Sequence, residues 1–524
     1  MMDWSRAPER REELVLFPTK LDDSIGSEHP VRLLDALLQK MDWSAWEAKY
    51  KLSKGMPNIH PRVLAGVVLF GLQKRIRTSR GLEDALQVRA DFRWLAEGRS
   101  IDHTTISKFR QANTDALKNL FVQIGLIARE MGHLQLQQLG YDGTKILASN
   151  RRSGTRTPDE IRQAKKELEE QFKEHQKSIE QAQQQEDEAF DKASKLDSQN
   201  KEQSLKKQLE KIDAAIEELA AIESAGKQIP NRLPITDPSS RIAKNKEGGF
   251  APNFNPTVTV DIQSGMITDC DVISGTDEQN HMIEAVERVR ENFLQASQES
   301  IDVLADGLMA TGENIHQCNE KNINFYSPSG PVNPAYREDP SQPLSPEQIA
   351  QLPLRGPEPK KGETDTRTFD KSAFLYDAEQ DVYWCPTGNK LVQYYESKDH
   401  RGDARFGYRA DKQVCAGCPL KDKCFKNTRD QYGRRIESGE HEKEKQAHAA
   451  EMQNPASKET YKKRAQATER PFARIKHVYG ARSFLTRGLA RVRNEWRWLS
   501  VAFNIDRLMR LMPASVTLAG SGSP

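Results

Sequence analysis

The stretch TVTVDIQSGMITDCDVIS, residues 257–274, decides the fold. Two runs of β-branched and apolar residues, 257–261 and 265–274, flank Gln263-Ser264-Gly265, so the stretch reads as an antiparallel hairpin. Downstream, residues 281–293 repeat apolar positions at helical spacing. ESIDVLADGLMATGENI (299–315) then gives a short buried strand from Ser300 to Ala305 that stops at Asp306. A further strand is expected through Asn324-Phe-Tyr-Ser. Upstream, QQLGYDGTKILAS (137–149) reads as a strand from Gln138 to Ser149 with Asp142 inside it or at its turn.

Strand, hairpin, helix, strand is the order of a ribonuclease-H-like core. The expected class is therefore α/β: a ribonuclease-H-like catalytic core with a helical insertion, an N-terminal all-helical domain and a small cysteine-rich segment. The expected bounds are 15–133 for the N-terminal domain, 134–326 for the first part of the catalytic domain with its insertion at 157–225, 327–454 for a polar loop and cysteine-rich insertion, and 455–512 for C-terminal catalytic helices. In the first of these, Pro61 opens one helix, Ser79 caps a second, and Asp102 caps a long helix beginning HTTISKFR and running to Glu130. This arrangement fits a helix-turn-helix DNA reader and equally a bundle whose polar face is solvated. Residues 158–224 are rich in Glu, Lys, Gln and Ala, with a sparse apolar stripe of Leu168, Leu205, Leu209, Ile212, Ile216 and Leu219. They read as a helical hairpin or short coiled coil, serving dimerisation or DNA clamping, or as a solvated arm. Ala225 to Asn255 reads as loop, and 327–372 as an ordered loop at most. Trp496, Trp498, Leu499 and Phe503 read as core.

A chain of 524 residues exceeds one ordinary core, so two or three domains plus insertions are expected. Hydrophobic residues make up 36% and charged residues 29%, and the mean hydropathy is −0.77, which implies extended solvated segments beside the cores. The net charge of +2 is uninformative, but Lys458 to Arg510 holds 14 Lys/Arg against 4 Asp/Glu, a local net of +10. Six cysteines in this length do not form a disulfide scaffold. The longest apolar run, Val63 to Leu72, is too short to span a bilayer. No secretory signal stands at the N-terminus, and the chain reads as a soluble cytoplasmic protein that does not enter membranes.

Three acids stand at the ends of these elements: Asp142, Asp306, and Glu469 within YKKRAQATERPFARIK (461–476). Three carboxylates gathered by a fold can hold two Mg2+ (or Mn2+) ions, which prefer hard oxygen ligands and activate phosphodiester chemistry without a protein nucleophile. Arg464, Arg470, Arg474 and Lys476 would grip the flanking phosphates. Each acid alone is weak, because capping and solvated carboxylates are far commoner; Asp277, Asp302 and Glu313 compete, and Asp302 shares a strand face with Asp306. Glu469 and Lys476 share a helix face if the helix is continuous, whereas Pro471 can instead start a new one. Cys385, Cys415, Cys418 and Cys424 have the spacing of a structural four-thiolate Zn2+ site, against the plainer reading of reduced free thiols. Cys270 and Cys318 read as buried small hydrophobes.

HPRVLAGVVLFGLQKRIRTSRGLEDALQVRADFRWLAEGRSIDHTTISKFR (60–110), LGYDGTKILAS (139–149) and YKKRAQATERPFARIKHVYGARSFLTRGLARVRNEW (461–496) resemble bacterial insertion-sequence transposases of the DDE class, nearest the insertion-sequence-1182 group. With the Cys-Pro segments, the resemblance extends over most of residues 15–510. It implies Asp142, Asp306 and Glu469 as the metal triad. It also implies a signature of Tyr461, Arg464, Glu469 and Lys476, which places Tyr461 among the DNA-binding residues. Here one extra residue separates Arg464 from Glu469 relative to the better-known spacing, and LADGLMATGEN lacks the aromatic residue often found soon after this aspartate. The resemblance implies cleavage at the inverted ends of a mobile element and joining to target DNA, with double-stranded DNA as partner, a homo-oligomer in the active complex and association with the nucleoid. Two alternatives stand beside it: a DNA-binding relic without catalysis, and a ribonuclease-H-like nuclease that cuts without joining.

Overall fold

The computed structural model describes residues 20–50, 58–150, 152–184, 192–226, 228–245, 248–275, 277–294, 299–328, 335, 337–358, 365–398, 404–426 and 432–512. The expected start of the N-terminal domain, 15–19, lies outside them, as do parts of the expected insertion and of the 327–372 segment. The described chain divides into two compact units. One holds the residues up to His133, Ala473–Thr486 and those from Ala490 onward; the other holds Leu134–Phe472 and Arg487–Leu489.

The first unit opens with α1 (Pro30–Gln39) and α2 (Pro61–Gln73). Pro61 sits in the first turn of α2, where its missing N–H costs nothing, and His60 accepts from the Arg62 N–H. Nearly every residue of α2 is buried, which explains why it reads as uniformly apolar rather than amphipathic. α3 (Ser79–Val88) is capped by Thr78, one residue before the serine expected for that role. After α4 (Ala90–Leu95), Asp102 caps α5 (His103–Ala112) by accepting from the Thr104 and Thr105 N–H groups, as the sequence predicts. The expected long helix is in fact two. Asn113 leaves the helical region (φ −121°, ψ 46°), its side-chain amide donates to Phe109 O, and α6 (Thr114–Glu130) begins afresh.

In the second unit come β1 (Gln138–Gly143), β2 (Ile146–Leu147), the long helices α7 (Pro158–Gln184) and α8 (Lys192–Ser224), and then β3 (Arg241–Lys244), β4 (Phe250–Asp261) and β5 (Ile267–Ile273). α9 (Met282–Phe293), β6 (Ile301–Leu304), α10 (Gly312–Glu320) and β7 (Ile323–Tyr326) follow. One seven-stranded sheet results. Its central order is β5-β4-β1-β6-β7, with β4 antiparallel to both neighbours and β1, β6 and β7 mutually parallel. The expected 257–274 hairpin is present, with β4 longer than its sequence pattern. Residues 225–255, expected as loop, contain β3 and the first half of β4. That half is held on one edge by β2 and on the other by β3, so its backbone is paired despite the prolines and asparagines. α7 and α8 pack as the expected helical pair around Ile161, Ile212, Ala215 and Leu219, with Leu168 and Ile216 against them.

The region after β7 is richer than a loop. A capped turn of helix covers Pro346–Ala350, and Leu354–Arg355 pairs with Thr368–Phe369. A five-stranded antiparallel meander then runs through β8 (Leu375–Asp377), β9 (Val382–Trp384), β10 (Lys390–Lys398), β11 (Ala404–Ala410) and β12 (Arg435–Gly439). The polar composition of the cysteine-rich segment predicts no core of its own. It has one, built from Phe369, Phe374, Tyr383, Leu391, Tyr408 and Ile436 with Cys424. The residues responsible are spread from Phe369 to Ile436, too sparsely for periodicity to reveal them.

α11 (Glu442–Glu451) and α12 (Pro455–Ala473) follow. Pro471 lies inside α12 rather than at the start of a new helix, and a π-helical turn at Arg474–Val478 comes directly after. In the first unit again, most of α13 (Leu489–Leu511) buries Trp496, Trp498, Leu499 and Phe503 as expected. Its Trp498 ring lies 6.0 Å from Trp46 and 5.9 Å from Phe109. Arg77 donates to Gly480 O, Ser483 O and Glu495. Of the segment expected as C-terminal catalytic helices, residues to Phe472 and Arg487–Leu489 fall in the second unit and the rest in the first.

Candidate active site

β1 and β6 lie side by side and parallel, in a register that pairs Gln138 with Asp302 and Gly140 with Leu304. Asp142 and Asp306 each stand two residues beyond that last couple, so the register brings both acids to the same edge of the sheet. The shared period of two puts Gly140 and Asp142 on one face, and α12 covers that face. A Cβ on Gly140 would stand 2.6 Å from Thr468 Cγ2, so this close approach of helix to strand requires glycine.

Asp142 is mostly enclosed, and Arg464 Nη2 lies 3.1 Å from its Oδ1. Burial raises the Asp142 carboxyl above the usual range; Arg464, the Gly143 N–H and the Thr468 hydroxyl oppose this, and the Asp306 charge adds to it. Arg464 and Thr468 are one helical turn apart and act from the same face of α12. Among the described residues, Arg464 Nε is buried without a hydrogen-bond partner. Asp306 caps a short 3-10 turn by accepting from the Leu308 N–H at 2.9 Å, and its carbonyl accepts from Ser327 Oγ at 2.6 Å.

A third acid belongs to this cluster, and sequence reasoning passed over it. Glu278 packs against Gly143, where a Cβ would stand 2.4 Å from Glu278 Oε2, and accepts from Asn255 Nδ2. Tyr141 Oη donates to its backbone carbonyl at 3.2 Å. Burial raises the Glu278 carboxyl; the Asn255 bond opposes, while the charges of Asp142 and Asp306 push it further up. No motif surrounds Glu278; the local signals for it are the two glycines flanking Tyr141-Asp142, which leave room on both faces of β1.

Glu469 follows Thr468 on α12 and is exposed. Among the described residues no hydrogen bond or ion pair holds it. Of the competitors, Asp302 accepts from Gln138 Nε2 and Asn324 Nδ2, both at 2.9 Å, which accounts for it as a sheet-bridging residue. Of the expected phosphate ligands, Arg470 is exposed and Tyr461 is half-buried. Arg474 and Lys476 belong to the other unit, where Arg474 is ion-paired with Asp506 and stacked 5.7 Å from the Tyr479 ring centroid.

Asp142, Asp306 and Glu278 offer hard oxygen donors whose mutual repulsion a divalent cation would relieve, the donor type Mg2+ takes, although their ligand atoms do not all lie within 4.8 Å of one another. The cysteines suit a softer ion. Cys385, Cys415, Cys418 and Cys424 line one small cavity. The Asn389 N–H points at Cys385 Sγ (3.4 Å) and the Arg434 N–H at Cys415 Sγ (3.5 Å). Burial pushes the Cys424 thiol up to about 12 and raises Cys415, and charges on the other cysteines add to both. A divalent cation would reverse that balance, so the thiols fit zinc, although the four sulfurs stand further apart than a closed ligand shell would hold them. Cys270 and Cys318 are buried, as expected of small hydrophobes.

Residues 384–509 match the family described as Transposase DDE domain, and residues 19–112 match the Transposase domain (DUF772). The first match takes in the cysteines, α12 with Glu469, and most of α13; the second takes in α1 to α5. Both support an insertion-sequence transposase, and the first implies an enzyme of the polynucleotidyl transferase type. No curated protein and no solved structure matches the chain. Among the described residues no helix is long and apolar enough to cross a membrane.

Proposed function

We propose that the protein is a DDE transposase of the insertion-sequence-1182 type, cleaving at the inverted ends of a mobile element and joining them to target DNA. The observation that carries this reading is the parallel register that aligns Asp142 with Asp306 beside a helix bearing Arg464, Thr468 and Glu469. The sheet order β5-β4-β1-β6-β7, with one antiparallel strand between β5 and β1, supports a ribonuclease-H-like catalytic domain.

In this reading Asp142, Asp306 and Glu469 hold two divalent ions, Mg2+ or Mn2+, with Glu278 beside them. When bound, the ions supply activation of the attacking oxygen and stabilisation of the leaving one. The chain's own part is positional. Burial of Asp142 and Glu278 keeps the donor oxygens in a poorly solvated pocket, where binding of a cation is strong. Arg464 neutralises Asp142 while no metal is bound and has a spare Nε donor for a phosphate oxygen once it is. Exposed Glu469 completes the set when DNA and metal arrive. Arg470 and Lys476 contribute phosphate contacts, with Tyr461 as part of the same signature. The cysteine cluster holds Zn2+ structurally, since four thiolates leave no open position.

The test is incubation of the full chain with the inverted repeats that flank its element and Mg2+. Nicking at the repeat boundary, abolished by chelation, is expected; no cleavage at any repeat with Mg2+ or Mn2+ contradicts the proposal.

A further inference from the structure

Away from the carboxylate cluster, α10 and the start of α11 bring together His316, His441 and Glu444. One ligand atom from each lies within 4.8 Å of the others, the one such set among the described residues. His316 Nδ1 is 2.9 Å from Glu444 Oε1 and 3.2 Å from Oε2, and His441 Nδ1 is 3.7 Å from the same Oε1. The outer nitrogens of both rings face further carboxylates: His316 Nε2 lies 3.4 Å from Glu320, and His441 Nε2 lies 3.4 Å from Glu313. The rings are stacked, with centroids 4.0 Å apart and planes 15° apart.

Hydrogen bonds to Glu444 account for His316 and for Asn319, but not for the position of His441. At 3.7 Å His441 Nδ1 is too far from Glu444 to be bonded to it. His441 also sits at φ 45°, in the left-handed region, which is strained for a non-glycine residue. Gly312 makes room for it, since a Cβ there would stand 3.3 Å from His441 Cβ. Two imidazoles directed at one carboxylate, each with its far nitrogen on another carboxylate, is the pattern of metal-binding histidines. The outer acid fixes the tautomer and strengthens the inner nitrogen as a donor.

We propose that His316, His441 and Glu444 bind one divalent ion of the zinc class, with water completing the shell. Two imidazoles and one carboxylate suit Zn2+ and its borderline neighbours rather than Mg2+. Bond lengths near 2.0–2.2 Å set the ligand atoms about 3.3 Å apart, so His441 would move in and His316 would move slightly away from Glu444. Ring rotation out of the stack is the movement this needs, and the three side chains are partly exposed, His441 least at 15%. α10 follows directly on Asp306, and α11 leads into α12, so an ion here would clamp the two chain segments that deliver the carboxylate cluster.

The test is Co2+ titration of metal-stripped full chain in excess Mg2+, followed by visible and near-ultraviolet absorption. Co2+ on thiolates gives a strong charge-transfer band; Co2+ on imidazole and carboxylate gives weaker visible bands alone. Glu444→Gln and His316→Asn should each lose one equivalent of Co2+ with the charge-transfer band unchanged, whereas Cys418→Ser should diminish that band and keep the other equivalent. Zn2+ should raise the melting temperature of Cys418→Ser more than that of the double variant Cys418→Ser/Glu444→Gln. Unchanged Co2+ stoichiometry in both Glu444→Gln and His316→Asn, or no Co2+ bound by wild type beyond the thiolate site, overturns the proposal.

Discussion

Arg464 Nη2 stands 3.1 Å from Asp142 Oδ1, so a cation of α12 neutralises an enclosed acid at the end of β1. This pair links the two elements that the proposed chemistry needs together.

Removing one partner of such a pair leaves the other enclosed and uncompensated. Arg464→Ala should destabilise the metal-free protein by on the order of 1–3 kcal/mol. Mg2+ should recover part of that loss by replacing the missing cation. Chemical denaturation with EDTA and with Mg2+ checks both, and equal losses under the two conditions would show that Arg464 and the ion do not share Asp142.

Glu278 offers a pH test. Its folded carboxyl is raised by burial and by Asp142 and Asp306, so its charged form is the penalised one. The sign follows: its share of stability is complete below the unfolded value, about 4.3, and is lost as pH rises through the folded value. Glu278→Gln keeps an acceptor for Asn255 and removes the charge. In EDTA it should be more stable than wild type at neutral pH, with the gap closing in acid. If Glu278 supports the ion, the same variant should need about 10–100-fold more Mg2+ for cleavage. A melting-temperature series from acid to neutral pH that shows no gap would remove Glu278 from the cluster.

Arg470 and Arg474 stand four residues apart, yet they should behave differently. Arg470 is exposed, and Arg470→Ala should leave stability within about 0.5 kcal/mol while lowering the salt slope of DNA binding by about 1. Arg474 is paired with Asp506, and Arg474→Ala should cost on the order of 1–3 kcal/mol of stability. Denaturation curves and salt-dependent binding to repeat DNA separate the two; an unchanged slope in Arg470→Ala would count against direct phosphate contact.

Glu495 is the anchor of the first unit. It pairs with Arg77 at 2.8 Å, with side-chain exposures of 10% for Arg77 and 2% for Glu495, and accepts from the Leu485 and Thr486 N–H groups. Glu495→Ala leaves a buried guanidinium unpaired and should cost about 3–5 kcal/mol, with Glu495→Gln costing less. A loss below about 1 kcal/mol by denaturant unfolding would mean that Arg77 finds another partner.

The sequence made legible what is periodic or short-range. The 257–274 hairpin, the strand ending at Asp306 and the Asp102 cap all follow from local pattern, and the structure contains them. What it hid is set by tertiary context. Thr78 rather than Ser79 caps α3, because backbone geometry and not residue type chose between adjacent hydroxyls. β3 and the start of β4 are strands because both edges of β4 find partners, which no local window contains. Glu278 joins the site only through the room left by Gly143, and the His316–His441–Glu444 set joins residues more than a hundred positions apart. Asp142 and Asp306 were legible because each ends a strand, and a parallel register then aligns what the sequence separates.

The central claim is that Asp142, Asp306 and Glu469 together support metal-dependent strand cleavage. The most direct measurement compares wild type with Asp142→Asn, Asp306→Asn and Glu469→Gln on labelled inverted-repeat DNA with Mg2+ or Mn2+, resolving nicked, joined and protein-linked products. Each substitution keeps side-chain shape and removes one negative metal ligand. The account predicts that each abolishes cleavage while repeat binding stays largely intact, and that no product is covalently attached to protein. Full cleavage by Glu469→Gln, or a protein-linked product, would contradict it.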